Sequence, residues 1–185
     1  MKTKCDGVKV YELAPFSDHR GKFYEAYNQE IMEYFRERFV QTNISVSQKG
    51  VFRGMHYQYD EPMGKMITCL SGEIVDFWMD IREGSPTYGT VESLRLAADK
   101  PTLLYIPPGF AHGFCSVTDS VIKYECTSYY NSSGEGAITY KEIPPHLLWH
   151  CGVATSEMLL SKKDAAAQSF AEYRKNPKFM EIKGK

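Results

Sequence analysis

The chain has 185 residues, enough for one domain with a substantial core and short for two. Lys and Arg number 22 against 23 Asp and Glu, so no overall field favours wrapping nucleic acid or lying on an anionic membrane, and an anion must be held by a local cluster. No apolar run approaches the roughly 18 to 20 residues of a transmembrane helix, and the start MKTKCDGVKVYEL lacks the apolar stretch of a signal peptide, so a cytoplasmic protein is expected.

In chain order, an N-terminal arm is expected over about 1–45. Within it Ile31, Phe35 and Phe39 stand at i, i+4 and i+8, which predicts a short amphipathic helix over 28–39. A barrel core is expected over about 46–150. Its runs of Val, Ile, Tyr and Phe are broken at Ser71-Gly72, Gly84-Ser85-Pro86, Pro107-Pro108-Gly109 and Ser132-Ser133-Gly134. Short strands with no helical periods between them favour an antiparallel, all-β barrel or sandwich. From Ser161 the tail returns to helix formers, so a C-terminal helical segment is expected over about 158–185. Five scattered cysteines (Cys5, Cys69, Cys115, Cys126, Cys151), never in a C-x-x-C pair, fit reduced core residues better than a disulfide framework or a zinc site.

The candidate chemistry lies around two glycine-flanked histidines, His56 and His112. An imidazole can take a proton near neutral pH if a carboxylate orients it. Lys65 enters a strand, where an inward ammonium needs an anionic partner such as a developing enolate. Asp164, three residues after Ser161, reads as a helix-capping residue that can also reach an imidazole. Each of these has a plain structural reading beside the functional one: a satisfied core histidine, an outward lysine, a cap. Tyr129 and Tyr130 end a strand starting near Val121, so at most one points inward, and a phenol there can donate a proton. Arg20, Arg53 and Arg82 supply permanent cations suited to phosphate oxygens. Gln41 and Asn43 offer polar donors, and Phe23 or Tyr27 a stacking face. Patterns for nucleotide hydrolysis, hydride transfer and serine acyl transfer are absent from the sequence.

The segments Arg53 to Gln58 and Pro107 to Phe114 resemble the two halves of a cupin site from which most metal ligands have gone. Gln58 and Lys65 stand where a second histidine and a glutamate are usual, and an ammonium suits a divalent cation poorly. More closely, the ordered motifs from about Phe16 to Phe170 resemble the dTDP-4-dehydrorhamnose 3,5-epimerase family. They run through Asp18, Arg20, Phe23 and Glu25, Gln41 to Gln58, Gly64-Lys65, Asp80 to Gly89, Pro107 to Phe114, Thr127 to Tyr130 and Ser161 to Asp164.

That resemblance implies a cupin-type jelly roll with short flanking helices, no metal and no cofactor. It implies a nucleotide-diphosphate sugar as substrate and a homodimer with exchanged N-terminal arms, with no nucleic acid or membrane as partner. By the same resemblance His56 is the base, Asp164 its orienting carboxylate, Lys65 the enolate's cation and Tyr130 the acid. Arg53 is expected on the diphosphate, Gln41 and Asn43 near the nucleotide, and His112 in the pocket. Arg20, Phe23 and Glu25 are expected on an arm reaching the neighbouring subunit. The chain departs from the pattern at Met63, where glutamine is usual, at Phe52, where leucine is, and at Ile138 to Pro144, which usually carries Trp-Asn-Asp. Rival readings are a single-centre epimerase, a CDP- or GDP-sugar epimerase, a metal-dependent cupin and a sugar-binding module without catalysis.

Overall fold

The computed structural model describes residues 3–180. The first part of the chain forms β1 (Lys9–Glu12), the hairpin strands β2 (Phe16–Asp18) and β3 (Gly21–Phe23), α1 (Gln29–Phe35) and β4 (Gln41–Ser47). Then follow β5 (Phe52–Gln58), β6 (Lys65–Ser71), β7 (Glu73–Asp80), β8 (Arg82–Glu83), β9 (Val91–Ala97), β10 (Thr102–Ile106), β11 (Phe110–Ser116), β12 (Ser120–Cys126) and β13 (Glu135–Ala137). The tail holds α2 (Pro145–Leu148), α3 (Lys162–Ala165), α4 (Phe170–Tyr173) and β14 (Phe179–Met180).

Two five-stranded antiparallel sheets carry the molecule, with orders β1-β10-β6-β12-β4 and β13-β5-β11-β7-β9. This is the expected jelly-roll arrangement, and the alternation of inward and outward side chains explains its layers. Ile67, Leu104 and Ile122 from the first sheet meet Ile74, Trp78, Phe110 and Phe114 from the second in a buried cluster between them. The outer face of the first sheet is covered by α1, where Ile31 and Phe35 bury against Met66, Leu103 and Tyr105. The outer face of the second lies under the tail, with Leu148, Cys151, Met158 and Tyr173 over Phe52, Met55, Phe77 and Met79.

Two glycine positions show what the histidine-flanking glycines do. Gly54 has φ +123°, and a Cβ there would come 2.5 Å from the Cα of Gly113. The missing side chains let β5 and β11 approach closely, with His56 directly opposite His112.

Three expectations are corrected by the fold. The predicted helix stops at Phe35, because Arg36 adopts a left-handed conformation with φ 57° that caps it, although Phe39 still packs on Tyr105 at 6.2 Å. The arm over 1–45 is only in part separate: β1 and β4 belong to the first sheet, and the β2–β3 hairpin is the piece outside both large sheets. The tail is not one helical segment. It breaks after Ala165 because Gln168 accepts a bond from Thr139 N at 2.8 Å and donates its side chain to the Tyr57 hydroxyl at 2.8 Å, and it ends in β14, with 181–185 outside the described residues.

Candidate active site

Between the two sheets polar side chains meet the edge of the inner core, where Ile67, Phe114 and Ile122 belong to both. A cavity of about 410 Å³ is lined by His56, His112 and Arg53 from the second sheet and by Lys65, Ile67 and Tyr124 from the first, with Lys163 and Asp164 closing one side. A second crevice of about 330 Å³ shares His56, Lys65 and Tyr124 and extends past Gln41, Asn43, Met63, Tyr130 and Glu135. The site is therefore one cleft in two compartments, with the proposed base and cation at their junction.

Strand alternation aims these groups. On β5, Met55 and Tyr57 join the outer core while His56 faces the cavity. On β6 and β12, Lys65 lies opposite Cys126, and Tyr124 opposite Ile67. His56 and Tyr124 thus come from facing sheets.

Asp164 is buried, and its Oδ1 lies 2.6 Å from Nε2 of His56. Ser161 caps α3 by accepting from Asp164 N at 3.1 Å, and its hydroxyl donates to Asp164 Oδ2 at 2.9 Å. The cap of α3 is thus Ser161, not Asp164, whose carboxylate is engaged by the Ser161 hydroxyl and by His56. Burial pushes the Asp164 carboxyl up, but the bonds from His56 and Ser161 outweigh it and hold the group below the usual carboxylate range. With one ring nitrogen committed to Asp164, the other is the nitrogen available to a substrate.

His112 Nε2 lies 2.9 Å from Oδ2 of Asp76, a carboxyl pushed up by burial despite the nearby imidazole. Burial likewise lowers the pKa of Lys65, chiefly by desolvating its ammonium. A cation partly shielded from water in this way interacts more strongly with an anion that forms beside it than a surface lysine does.

Gln41 and Asn43 lie in the smaller compartment as expected. Gln41 Nε2 donates to Asn43 Oδ1 at 3.0 Å, and Gln41 Oε1 accepts from Tyr130 N at 3.1 Å. Arg53 lines the larger compartment, braced by Ser47 Oγ at 3.1 Å and Val46 O at 3.3 Å. Arg82 pairs with buried Asp80 at 2.7 Å and stacks on Phe110, away from this cleft.

Arg20, Phe23 and Glu25 are not brought to His56. Arg20 pairs with Asp18 at 2.6 Å on the exposed β2–β3 hairpin, Phe23 is 69% exposed, and Glu25 accepts from Asn28 at 2.7 Å. Tyr129 and Tyr130 lie past the end of β12, in a loop that Gln58 holds by donating to Tyr129 O at 2.9 Å and accepting from Asn131 N at 2.9 Å. Tyr130 is 58% exposed and donates its hydroxyl to Glu135 at 2.7 Å. That bond, with the adjacent carboxylate, raises its pKa.

Three polar residues of the cleft were not singled out by the sequence: Tyr124, Glu135 and Lys163. For Tyr124 the signal was present, since Ile122, Tyr124 and Cys126 share a parity and two of them are core residues. Gln58, where a cupin ligand is usual, has its amide engaged by backbone. Among the described residues no cluster of three or more His, Cys, Asp or Glu is placed to hold a metal ion.

Known proteins resemble this chain in sequence and in fold. A family model described as dTDP-4-dehydrorhamnose 3,5-epimerase matches residues 2–172. The dTDP-4-dehydrorhamnose 3,5-epimerase of Salmonella typhimurium is 40% identical over 172 residues, covering 90% of this chain and 92% of that protein. A crystal structure of dTDP-6-deoxy-D-glucose-3,5-epimerase from Legionella pneumophila, in complex with dTDP-4-keto-L-rhamnose, superposes with TM-score 0.83 at 38% identity, covering 92% of each chain. A 3'-monoepimerase from Streptomyces bikiniensis, solved with dTDP-quinovose, gives TM-score 0.80 at 30% identity over 94% of this chain and 88% of that one. On a match that spans nearly its whole length, the chain belongs to the dTDP-4-dehydrorhamnose 3,5-epimerase family of isomerases.

Proposed function

We propose that the protein inverts C3 and C5 of dTDP-4-dehydro-6-deoxy-D-glucose, giving dTDP-4-dehydro-L-rhamnose without a metal. The observation that carries this is the meeting of His56, its Asp164 partner and desolvated Lys65 at the junction of one cleft. His56 removes a proton α to the C4 ketone, Asp164 holds the imidazole in place, and Lys65 stabilises the enolate oxygen. His112 lies opposite His56 and adds a polar contact at the sugar.

Inversion requires a proton to leave one face of the sugar and return on the other. Tyr130 was the expected donor, but its hydroxyl is engaged by Glu135 and much of its surface meets solvent. Tyr124 projects from the sheet facing His56 and lines both compartments. We assign the acid role to Tyr124 and leave Tyr130 as a wall of the sugar compartment.

Arg53 takes the diphosphate, and Gln41 and Asn43 support the nucleotide end. The β2–β3 hairpin, with exposed Phe16, Phe23 and Arg20, serves the neighbouring subunit's cleft in a homodimer with exchanged arms. Five free, buried thiols suit a reducing compartment, in keeping with a cytoplasmic enzyme. The described residues act as a single cupin-type epimerase domain.

A second reading, inversion at C3 alone, draws on the likeness to the Streptomyces bikiniensis 3'-monoepimerase. Incubation with a panel of dTDP-, CDP- and GDP-linked 4-keto-6-deoxy sugars, with product stereochemistry read by NMR, decides between them. The L-rhamno product from the dTDP sugar is expected, and a product inverted only at C3 overturns the double inversion.

A further inference from the structure

Glu135 lies on β13, at the edge of the sheet that carries His56: Glu135 faces Gln58 in register and Ala137 faces His56. Its Oε1 accepts the Tyr130 hydroxyl at 2.7 Å and also the Lys163 ammonium. The Glu135 side chain is 15% exposed, while Lys163 is half exposed. One carboxylate oxygen therefore joins three segments: the loop that follows β12 of the first sheet, the edge of the second sheet, and α3.

The position of this bracket gives it a use. Lys163 lines the larger compartment, whereas Glu135 and Tyr130 line the smaller one, so the bonded trio sits on the seam between them. Lys163 is also the residue before Asp164. α3 is a single turn of four residues, too short to hold itself, so side-chain ties set its place. A shift of α3 moves Asp164 relative to His56.

We propose that Glu135 is a positioning residue: by gripping Lys163 and Tyr130 it fixes α3, and with it Asp164 against His56, while it sets the wall of the sugar compartment. Its carboxylate stays ionised, since the bonds from Lys163 and Tyr130 outweigh the burial that pushes its pKa up. The inference rests on the epimerase reading for its kinetic arm alone.

Glu135→Gln keeps the side-chain volume and an acceptor for Tyr130 but loses the charge that holds Lys163. With dTDP-4-keto-6-deoxyglucose, kcat should fall roughly 10- to 100-fold, the size expected for a displaced base, with KM moving less than about threefold. Lys163→Met should lose a similar factor, and the double variant should be no worse than the poorer single, because both remove one tie. A ligand-free arm reads the contact directly: ultraviolet titration of wild type minus Tyr130→Phe isolates the Tyr130 phenol, and Glu135→Gln should shift its ionisation to lower pH. Losses that multiply in the double variant, a loss confined to KM, or a phenol titration indifferent to Glu135→Gln each overturn the proposal. A wild type inactive on every nucleotide 4-keto sugar, with the titration shift intact, counts against the reaction and not against the bracket.

Discussion

Oδ1 of Asp164 and Nε2 of His56 lie 2.6 Å apart although 108 residues separate them in the chain. The contact joins a one-turn helix near the C-terminus to β5, and it makes the third residue of that helix the partner of the proposed base.

Asp164→Asn should cost stability as well as activity. A carboxyl whose pKa is depressed by folding contributes stability above its unfolded pKa of about 3.9, and the contribution is lost as pH falls through the folded value. Urea unfolding at pH 7 should show the variant less stable by about 1 to 3 kcal/mol, the range for a hydrogen bond to a charged group. The gap should close in acid, below the folded pKa of Asp164. A constant gap across that range would mean that the carboxylate's charge is not what the fold uses.

The two phenols can be separated by single substitutions. Tyr124→Phe should lower the rate of inversion by about 10² to 10⁴, the range for a lost general acid, while His56 still exchanges the α proton. Tyr130→Phe should cost less. A larger loss at Tyr130 would return the acid role to it.

Lys65→Met should reduce kcat/KM by about 10² to 10³, as for removal of one oxyanion donor. Because burial lowers the Lys65 pKa, its ammonium is lost at a pH below the free-lysine value of about 10.4. Activity should therefore decline on the basic side at a lower pH than that at which a free lysine loses its proton. A profile flat up to that pH would show that the cation is not needed.

Phe52 and Tyr140, two of the departures from the family pattern, pack together with ring centroids 5.6 Å apart, outside the cleft. Phe52 is 1% exposed, so Phe52→Ala should destabilise by about 3 to 5 kcal/mol. KM of the folded fraction should be unchanged. A shift in KM would connect this core contact to the site. Met63, the third departure, lines the smaller compartment and is the one placed to affect the substrate.

Much of this was legible in the sequence. The glycines beside His56 and His112 singled out the two histidines, and Ser161 with Asp164 marked a helix start whose carboxylate could also reach an imidazole. What stayed hidden depends on where strands end. The motif order drew attention to Tyr130, but β12 stops at Cys126, and the loop beyond it is shaped by Gln58, whose side-chain bonds no spacing announces. Glu135 and Lys163 look like surface charges until the fold brings them together. The tail's alanine-rich run favours helix by propensity, yet backbone pairing of Gln168 with Thr139 overrides it.

The most direct measurement is hydrogen exchange from deuterated water into dTDP-4-keto-6-deoxyglucose, followed at C3 and C5 by NMR, with protein purified without added metal. Wild type should introduce deuterium at both carbons, and His56→Ala should lose that exchange while still binding dTDP. Undiminished exchange by folded His56→Ala, or none by wild type, would contradict His56 as the base of this reaction.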